Sequence, residues 1–576
     1  MISSVTKLRV DNEDFLVASM IERCPRSMMI RELLQNALEA AATAPEGRRR
    51  VEFSVLPVEG TRKLAIWNSG TGLSGEELFR MCDIASSIRK ETGLDRNFGM
   101  GAKVASLPSN QRGLRYRSAR QGEVGEVVIG KFNGVYGRLL RPGGDGRPAE
   151  VIDAGEAARA EGRRTGEDWT EVVLLGNAAA QDTVSDPYNG RPRVGPRWLV
   201  DAIGQRFFRF PEGVEILLQP GIAGLKAPHR LTSLATRLAR LARYEAVHTP
   251  EGITIHYAYD PAHPTLADAN ASQGGGPESA SSLAALVHQD EMYGVLSGQA
   301  WRREAPSFGI PFVARHVTIL VELPSDYPVQ PEAYREFLRY RSETQAQVKL
   351  LDFAGLVTRH QPGWLAKLLA DASPAAAYAA EVQEELRQML EQMGVARRRP
   401  RQSPPLPKEP PAPRQGEPRP PAEPKPVPLE NAPAIFLLRD PAELADRDLL
   451  HRAACYYPET HQLHVNLTYG AVGEMARMLL ATAPEGMDAE RVAEAAQLQA
   501  ERGMVLRIAR GLAYALAKRG RPQEWKEPHL RAALSPEVLT LIADDIRTGW
   551  AEAEAGLARA LGDAEVGQPA PELQPA

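Results

Sequence analysis

Residues 28–44 read MMIRELLQNALEAAATA, and this stretch decides how the first part of the chain folds. Its alanine, leucine and glutamate content predicts an α-helix. Glu32, Asn36 and Glu39 follow one another at i, i+4 and i+7, so they share one face of an otherwise apolar helix. That polar face is either the solvated side of an amphipathic helix or the wall of a polar binding site.

Two strand-forming runs and two glycine-rich turns follow this helix. The runs VEFSVLPV (51–58) and KLAIWN (63–68) bracket a turn. The second run leads into NSGTGL (68–73), where the absence of side chains on glycine lets the backbone approach a ligand closely. Another glycine-rich turn, NFGMGAKVAS (97–106), opens a predicted helix, and free amide groups there would suit phosphates. Each turn taken alone is also common in ordinary loops.

Length and composition indicate an ordinary globular protein with several domains. A chain of 576 residues predicts three or four domains, at roughly 100 to 200 residues each. The net charge of -4 gives no general electrostatic reason to bind nucleic acid or an anionic membrane. Cys24, Cys82 and Cys455 lie far apart, which favours a reducing compartment. With no signal-peptide layout and no long apolar run, we expect a cytoplasmic protein without membrane contact.

In this order, the three segments resemble the GHKL family, which includes DNA gyrase B-subunits, heat-shock chaperone ATPases, histidine kinases and mismatch-repair ATPases. Residues 32–40 resemble the family's N-box, residues 68–72 its first glycine box and residues 99–101 its second. Residues 83–96 fall where the family has a mobile lid over ATP. Thr170, in the strand-like run DWTEVVLL, is similar to the family's late threonine near adenine, although the run also reads as a plain buried strand.

The resemblance implies a two-layer α/β sandwich of the Bergerat type that binds ATP with Mg²⁺. Glu32 would be the general base, worth roughly two to four orders of magnitude in rate. Asn36 would offer its amide oxygen to Mg²⁺. Lys103 reads either as a phosphate contact or as a solvated lysine. The other residues that the resemblance implies for ATP binding are Asn68, Gly70, Gly72, Gly99, Met100, Gly101 and Thr170.

Asn68 departs from the family pattern. The family usually has aspartate there, and that carboxylate accepts a hydrogen bond from the exocyclic amine of adenine. Asparagine can accept the same bond through its oxygen, but it carries no charge and can also donate. We therefore expect weaker selectivity for adenine.

The predicted fold class is α+β, with one proline-rich spacer dividing the chain. The run HVTILVELPSDYPV (316–329) predicts a strand and residues 331–357 a helix, on which Arg341 or Lys349 would either reach the terminal phosphate or lie on the surface. The predicted divisions are an ATP-binding domain (1–178), a transducer-like α+β domain (179–396), the spacer (397–428), a mostly helical domain (429–562) and a disordered tail (563–576).

Two classes of function remain open. One is an ATPase whose turnover drives a clamp or a homodimer that acts on a protein or nucleic-acid client. The other is a module in which ATP is a regulatory ligand with negligible hydrolysis. Glu32 favours the first, because a pure binder needs no carboxylate at the position of the base. We expect Asp446 and Asp448 to lie on a helix surface rather than in a topoisomerase-like metal cluster.

Overall fold

The computed structural model describes residues 11–83, 101–144, 146–261, 273, 275–342, 344–373, 378–393, 395, 432–483, 487–521 and 523–562. Within them the protein is a mixed α+β structure with several sheets and a helical C-terminal region, which confirms the predicted fold class. Gly99, Met100, nearly all of the predicted lid, the spacer and the predicted tail lie outside the described residues.

The first region contains a nine-stranded sheet in the order β11-β10-β1-β2-β9-β3-β4-β5, with β8 paired to β4. Its described helices are α1 (Glu13–Arg23), α2 (Met28–Ala41), α3 (Gly75–Met81), α4 (Gly101–Ser106), α5 (Gly155–Ala160) and α6 (Trp198–Gly204). Its described strands are β1 (Arg50–Val58), β2 (Thr61–Asn68), β3 (Leu114–Arg120), β4 (Glu123–Phe132), β5 (Val135–Arg138), β6 (Arg141–Pro142), β7 (Pro148–Ala149), β8 (Ile152–Asp153), β9 (Trp169–Leu174), β10 (Glu215–Leu218) and β11 (His229–Arg230).

The predicted helix and hairpin at the start of this region are confirmed. A two-residue turn joins β1 to β2, and Glu59 and Gly60 both have positive φ, as a type I′ turn requires. The apolar side of α2 packs on the sheet, burying Leu34 against the core that Phe53 and Ile66 form. The sheet and this core continue past residue 178, because β10 pairs in parallel with β1.

The second region contains a five-stranded sheet in the order β12-β13-β16-β14-β15. Its described strands are β12 (Arg243–His248), β13 (Thr254–Tyr259), β14 (Leu283–His288), β15 (Glu291–Ser297) and β16 (Val317–Glu322), with a separate hairpin of β17 (Val329–Pro331) and β18 (Leu338–Tyr340). Its described helices are α7 (Leu234–Ala239), α8 (Gly298–Glu304), α9 (Ala354–Arg359) and α10 (Gly363–Ala372).

The predicted strand in 316–329 is confirmed as β16, but the predicted helix over 331–357 is wrong. Its described residues form the β17-β18 hairpin, turns and bends, and a 3₁₀ helix (Leu350–Phe353), and α9, which overlaps its end, is the α-helix among them. Arg335 and Gln345 have φ of 57° and 44°, and left-handed residues interrupt a right-handed helix. Local composition favoured a helix here, and pairing between residues 329–331 and 338–340 overrode it.

The C-terminal region combines a three-stranded sheet, in the order β19-β21-β20, with a helical core. Its described strands are β19 (Ala434–Leu438), β20 (Ala454–Tyr457) and β21 (Gln462–Asn466). Its described helices are α11 (Ala379–Gln392), α12 (Pro441–Asp446), α13 (Gly470–Ala481), α14 (Ala489–Ala517), α15 (Glu527–Ala533), α16 (Pro536–Asp544) and α17 (Trp550–Gly562). None of the helices in the described part of the chain has the length and apolar character that a bilayer crossing needs.

Asp446 is buried, so the expectation that it lies on a helix surface is wrong. Its Oδ1 accepts a bond of 2.7 Å from Arg302 Nε, and its Oδ2 accepts one of 2.9 Å from Arg315 Nε. Both arginines belong to the second region, against which the C-terminal region packs Phe436 on Phe312. Asp446 therefore helps to hold the C-terminal region against the second region.

Candidate functional site

The polar stripe predicted on α2 exists and lies away from the apolar core. Leu33 and Leu34 on the other side of the helix are buried, whereas Asn36 is exposed. Glu32 is largely covered, with 13% of its side chain exposed. The amide Nε2 of Gln35 donates a bond of 2.9 Å to Glu39 Oε1, so part of the stripe is held by bonds within the helix.

Glu32 meets the second glycine turn at Gly101. A Cβ atom on Gly101 would lie only 1.8 Å from Glu32 Oε2, so no residue other than glycine fits beside the carboxylate as it stands. Gly101 begins α4, which packs against α2. The structure thus brings together two of the three predicted motif segments, with backbone immediately beside the predicted base.

The first glycine turn also packs tightly against its surroundings. A Cβ on Gly70 would lie 2.7 Å from the carbonyl oxygen of Ala40, near the C-terminal end of α2. Gly72 has φ of 64°, and a Cβ there would lie 2.0 Å from the carbonyl oxygen of Ala119 on β3. Both glycines are therefore needed for the close approach of this turn to α2 and the sheet.

Asn68 and Thr170 are neighbours on adjacent strands. Asn68 ends β2, is buried, and accepts a bond of 3.1 Å from the Gly70 amide through Oδ1. Thr170 pairs with Asn68 on one side and with Ser118 on the other. These three side chains share the sheet face that carries α2, because Ile66, Val172 and Tyr116, two positions away along the same strands, belong to that core.

Ser118 was not predicted from the sequence. Its Oγ lies 2.8 Å from Thr170 Oγ1 and accepts a bond of 2.7 Å from the amide of Leu73, just after the first glycine turn. The hydroxyl thus joins the threonine strand to the glycine turn. Its only signal in the sequence is its alternation with the apolar Leu114 and Tyr116 in LRYRSAR, which predicts the same sheet face.

Lys103 is buried, and its ammonium group binds backbone carbonyl groups. Its Nζ donates bonds of 2.6 Å to the carbonyl of Met81 and 2.5 Å to that of Asp83, where α3 ends. Burial lowers the pKa of Lys103 from 10.5 to about 8, against the opposing charges of Cys82 and Asp83. The side chain therefore ties α4 to the start of the predicted lid, and a phosphate contact would have to use its third N–H.

An ion-pair cluster that was not predicted surrounds Glu32. Arg31 Nη1 donates a bond of 2.5 Å to Glu32 Oε1, and Arg31 Nε lies 3.1 Å from both carboxylate oxygens of Glu291 on β15. Arg206 also binds Glu291, at 2.9 Å from Nε to Oε2. Although burial raises it, these two arginines hold the pKa of Glu291 at about 2, below its usual 4.5.

One sequence signal could have revealed this cluster. Arg31 lies on the apolar side of α2 with Leu34 and Leu38, and a charge on a buried helix face needs a partner. The identity of that partner is not readable locally, because Glu291 is 260 residues away along the chain.

One cation of the second region that lies close to this cluster is Arg335. Its carbonyl oxygen accepts a bond of 2.9 Å from Arg206 Nη2, and its charge contributes to the low pKa of Glu291. Arg341 and Lys349, the two cations named from the sequence, are both exposed. Arg335 was missed because the helix predicted over 331–357 placed it in the wrong structure.

The residues present suit a magnesium nucleotide. The amide oxygen of Asn36 is a hard oxygen donor of the kind Mg²⁺ prefers, and it lies one helical turn after Glu32 on α2. Among the described residues no group of three or more His, Cys, Asp or Glu side chains is placed to hold a metal by itself. Phosphate oxygens would therefore have to complete the ligands, and the glycine at Gly101 leaves backbone beside Glu32 that a phosphate chain could approach.

No known protein-family model matches this chain, and no curated protein matches it either.

Proposed function

We propose that this protein binds ATP with Mg²⁺ and hydrolyses it, and that binding and hydrolysis drive a conformational change acting on a macromolecular client. The observation that carries the proposal is the contact between Glu32 on α2 and Gly101 at the start of α4. These residues come from the two segments that resemble the N-box and the second glycine box of the GHKL ATPases. Asn68, Gly70 and Thr170 support it, since they gather near the other end of α2.

The chain's own residues would divide the chemistry as follows. Glu32 would orient the attacking water and accept its proton at Oε2, the oxygen that faces Gly101. Asn36 would bind Mg²⁺, which neutralises charge on the phosphates when bound. Asn68 would accept a bond from the adenine amine, with Thr170 and Ser118 beside it. Gly70, Gly72 and Gly101, together with Gly99 and Met100 outside the described residues, would bring backbone close to the nucleotide.

Arg335 would be the cation that reaches the terminal phosphate from the second region. It faces the Glu32 cluster through Glu291 and Arg206, whereas Arg341 and Lys349 are exposed. Such a contact would report the presence of ATP to the second sheet.

One observation favours the second function class, an ATP-binding regulatory module with negligible hydrolysis. Arg31 already donates to Glu32 Oε1, so a guanidinium occupies one oxygen of the carboxylate at the position of the base. In that case ATP would remain bound as a ligand that fixes the arrangement of the two sheets.

The partners in this proposal are ATP, a second copy of the chain as a homodimer, and a protein or nucleic-acid client. The proposed setting is the cytoplasm, which suits the free thiols of Cys24, Cys82 and Cys455.

The test is magnesium-dependent ATP hydrolysis by the purified parent and by Glu32→Ala, with nucleotide binding measured on both. We expect turnover in the parent to fall at least about 100-fold in the variant while binding survives. Glu22→Ala removes an exposed carboxylate from the neighbouring helix α1 and is the matched control. Binding without turnover in either protein would favour the regulatory module, and a parent that binds no ATP would exclude both functions.

A further inference from the structure

We propose that Glu291 is a positioning residue for hydrolysis, which acts on Glu32 through Arg31; this inference rests on the function proposed above. Glu291 lies on the second sheet, so the readiness of the base depends on where that sheet stands relative to α2. The sequence motifs of the first region do not include Glu291.

The guanidinium of Arg31 bridges the two carboxylates. Its Nε lies 3.1 Å from each oxygen of Glu291, and its Nη1 lies 2.5 Å from Glu32 Oε1. Arg31 is 4% exposed and Glu291 6%, so water screens this pair weakly. A guanidinium has five N–H donors in a fixed fork, which lets one arginine serve two acids at once.

Glu291 is also held by Arg206. Arg206 Nη2 lies 2.6 Å from Glu291 Oε2, and the Arg206 guanidinium lies over the ring of Tyr293 at 4.3 Å. The backbone adds further links, since Phe207 forms a β-bridge with Glu291 and the Met292 amide donates to the Arg206 carbonyl at 2.7 Å. Glu291 is therefore tied both to the second sheet, of which it is part, and to the segment that follows α6.

The two acids compete for one cation. While Glu291 engages Arg31 through two N–H groups, Glu32 shares the remaining charge and keeps Oε2 toward Gly101. If Glu291 is neutral or withdrawn, Arg31 can engage both oxygens of Glu32, and Oε2 is then no longer kept toward Gly101 for the attacking water. Moving the second sheet away from α2 has the same consequence, so closure of the two regions promotes hydrolysis without any change in nucleotide contacts.

The test compares the full-length parent with Glu291→Gln at saturating Mg·ATP, with nucleotide affinity measured separately. We expect kcat to fall about tenfold while Kd changes less than about twofold, since Glu291 touches the base only through Arg31. Glu322→Gln is the matched control, because Glu322 is a carboxylate of the same sheet that binds Arg209 and His256 instead of α2. Equal kcat in the parent and Glu291→Gln would overturn the proposal while leaving the ATPase intact.

A double-variant cycle separates positioning from a loss of structure. With Arg31→Met in place, Glu291→Gln should change kcat less than about twofold, because the group through which it acts is gone. A tenfold loss that persists in the Arg31→Met background would overturn the proposal. If Glu291→Gln does not fold, the single variant Arg31→Met tests the proposal instead. Releasing Glu32 from Arg31 should raise kcat about twofold or more. A fall in kcat would contradict the proposed restraint of Glu32 by Arg31. A parent that binds no ATP removes the proposed function and this inference together.

Discussion

The two faces of the nine-stranded sheet bury polar groups for different reasons. On the face that carries α2, neutral side chains lie in line across β2, β9 and β3, namely Asn68, Thr170 and Ser118. The neighbouring residues on the same strands point to the opposite face. There Trp67, Glu171 and Arg117 lie side by side across β2, β9 and β3, and Glu126 on β4 lies next to Arg117. A one-residue step along each strand therefore separates a neutral polar surface from a charged one.

The charged side chains of the opposite face pair with one another. Glu126 contacts Arg117 and Arg141, and Glu171 contacts Arg163. Glu161, next to α5, lies 2.7 Å from Arg117 and 3.1 Å from Arg115. A network of this kind stabilises the sheet but offers little to a ligand, since its ions already bind each other. Burial and charge alone therefore do not identify a site.

Breaking the charged face should give the largest effect on stability. Glu126→Ala leaves Arg117 and Arg141 without their shared carboxylate in a buried setting, although Glu161 still lies near Arg117. We expect the free energy of unfolding to fall by about 3–5 kcal/mol in urea titrations. Glu123→Ala, at the exposed start of the same strand, should change it by less than about 0.5 kcal/mol. Equal effects of the two substitutions would show that the network contributes nothing.

Lys103 tests whether a cation on the α2 side serves structure rather than a ligand. Its pKa is about 8 in the folded protein against 10.5 normally, so between these values the unfolded chain binds a proton that the folded chain has lost. Stability therefore rises with pH across this window, and relative to Lys103→Met the parent should gain about 3 kcal/mol between pH 8 and 10.5.

The difference between parent and variant removes the groups that titrate alike in both proteins and leaves the lysine together with its effect on Cys82. Lys226→Met, at an exposed lysine, is the matched control. A stability difference that does not change with pH would mean that Lys103 is not buried against the Met81 and Asp83 carbonyls in solution. Loss of ATP binding in Lys103→Met, with stability unchanged, would instead support the phosphate contact that the sequence suggested.

A substitution at Gly101 tests directly whether ATP is hydrolysed beside α2. A Cβ 1.8 Å from Glu32 Oε2 must displace the carboxylate or the start of α4. Since a misplacement of about 1 Å can cost about 100-fold in rate, Gly101→Ala should lower ATP turnover by about that factor. Gly137→Ala, where a Cβ meets nothing within 4 Å, should leave turnover within about twofold of the parent. Full turnover in Gly101→Ala would place the chemistry elsewhere.

The features that the sequence predicted correctly are those encoded within one segment. The α2 stripe follows from helical periodicity, and the β1-β2 hairpin from strand-forming runs around Glu59 and Gly60. The helical character predicted for residues 429–562 also has local signals, such as the Ser535 cap at the start of α16, whose Oγ accepts the Val538 amide. Each of these signals lies within a few residues of the structure that it produces.

The features that the sequence missed depend on contacts between distant segments. The pairing of Arg31 with Glu291 and the burial of Asp446 against Arg302 have no local signature. The prediction of a helix over 331–357 was wrong for the same reason, because strand pairing outweighed the local helix propensity. The division at residue 178 remains a prediction, and the first sheet recruits β10 and β11 from beyond it.

A substitution at Asn68 should give the smallest effect, and it tests whether adenine binds on the sheet face that carries α2. Its Oδ1 accepts the Gly70 amide, and an aspartate could accept the same bond while adding a charge. If the adenine amine binds here, Asn68→Asp should tighten ATP binding by up to about tenfold and raise the preference for ATP over GTP, because a carboxylate accepts from an amine but repels the guanine carbonyl. Calorimetry with both nucleotides measures this. Abolished ATP binding would mean that the buried charge finds no donor, and that adenine does not lie against β2.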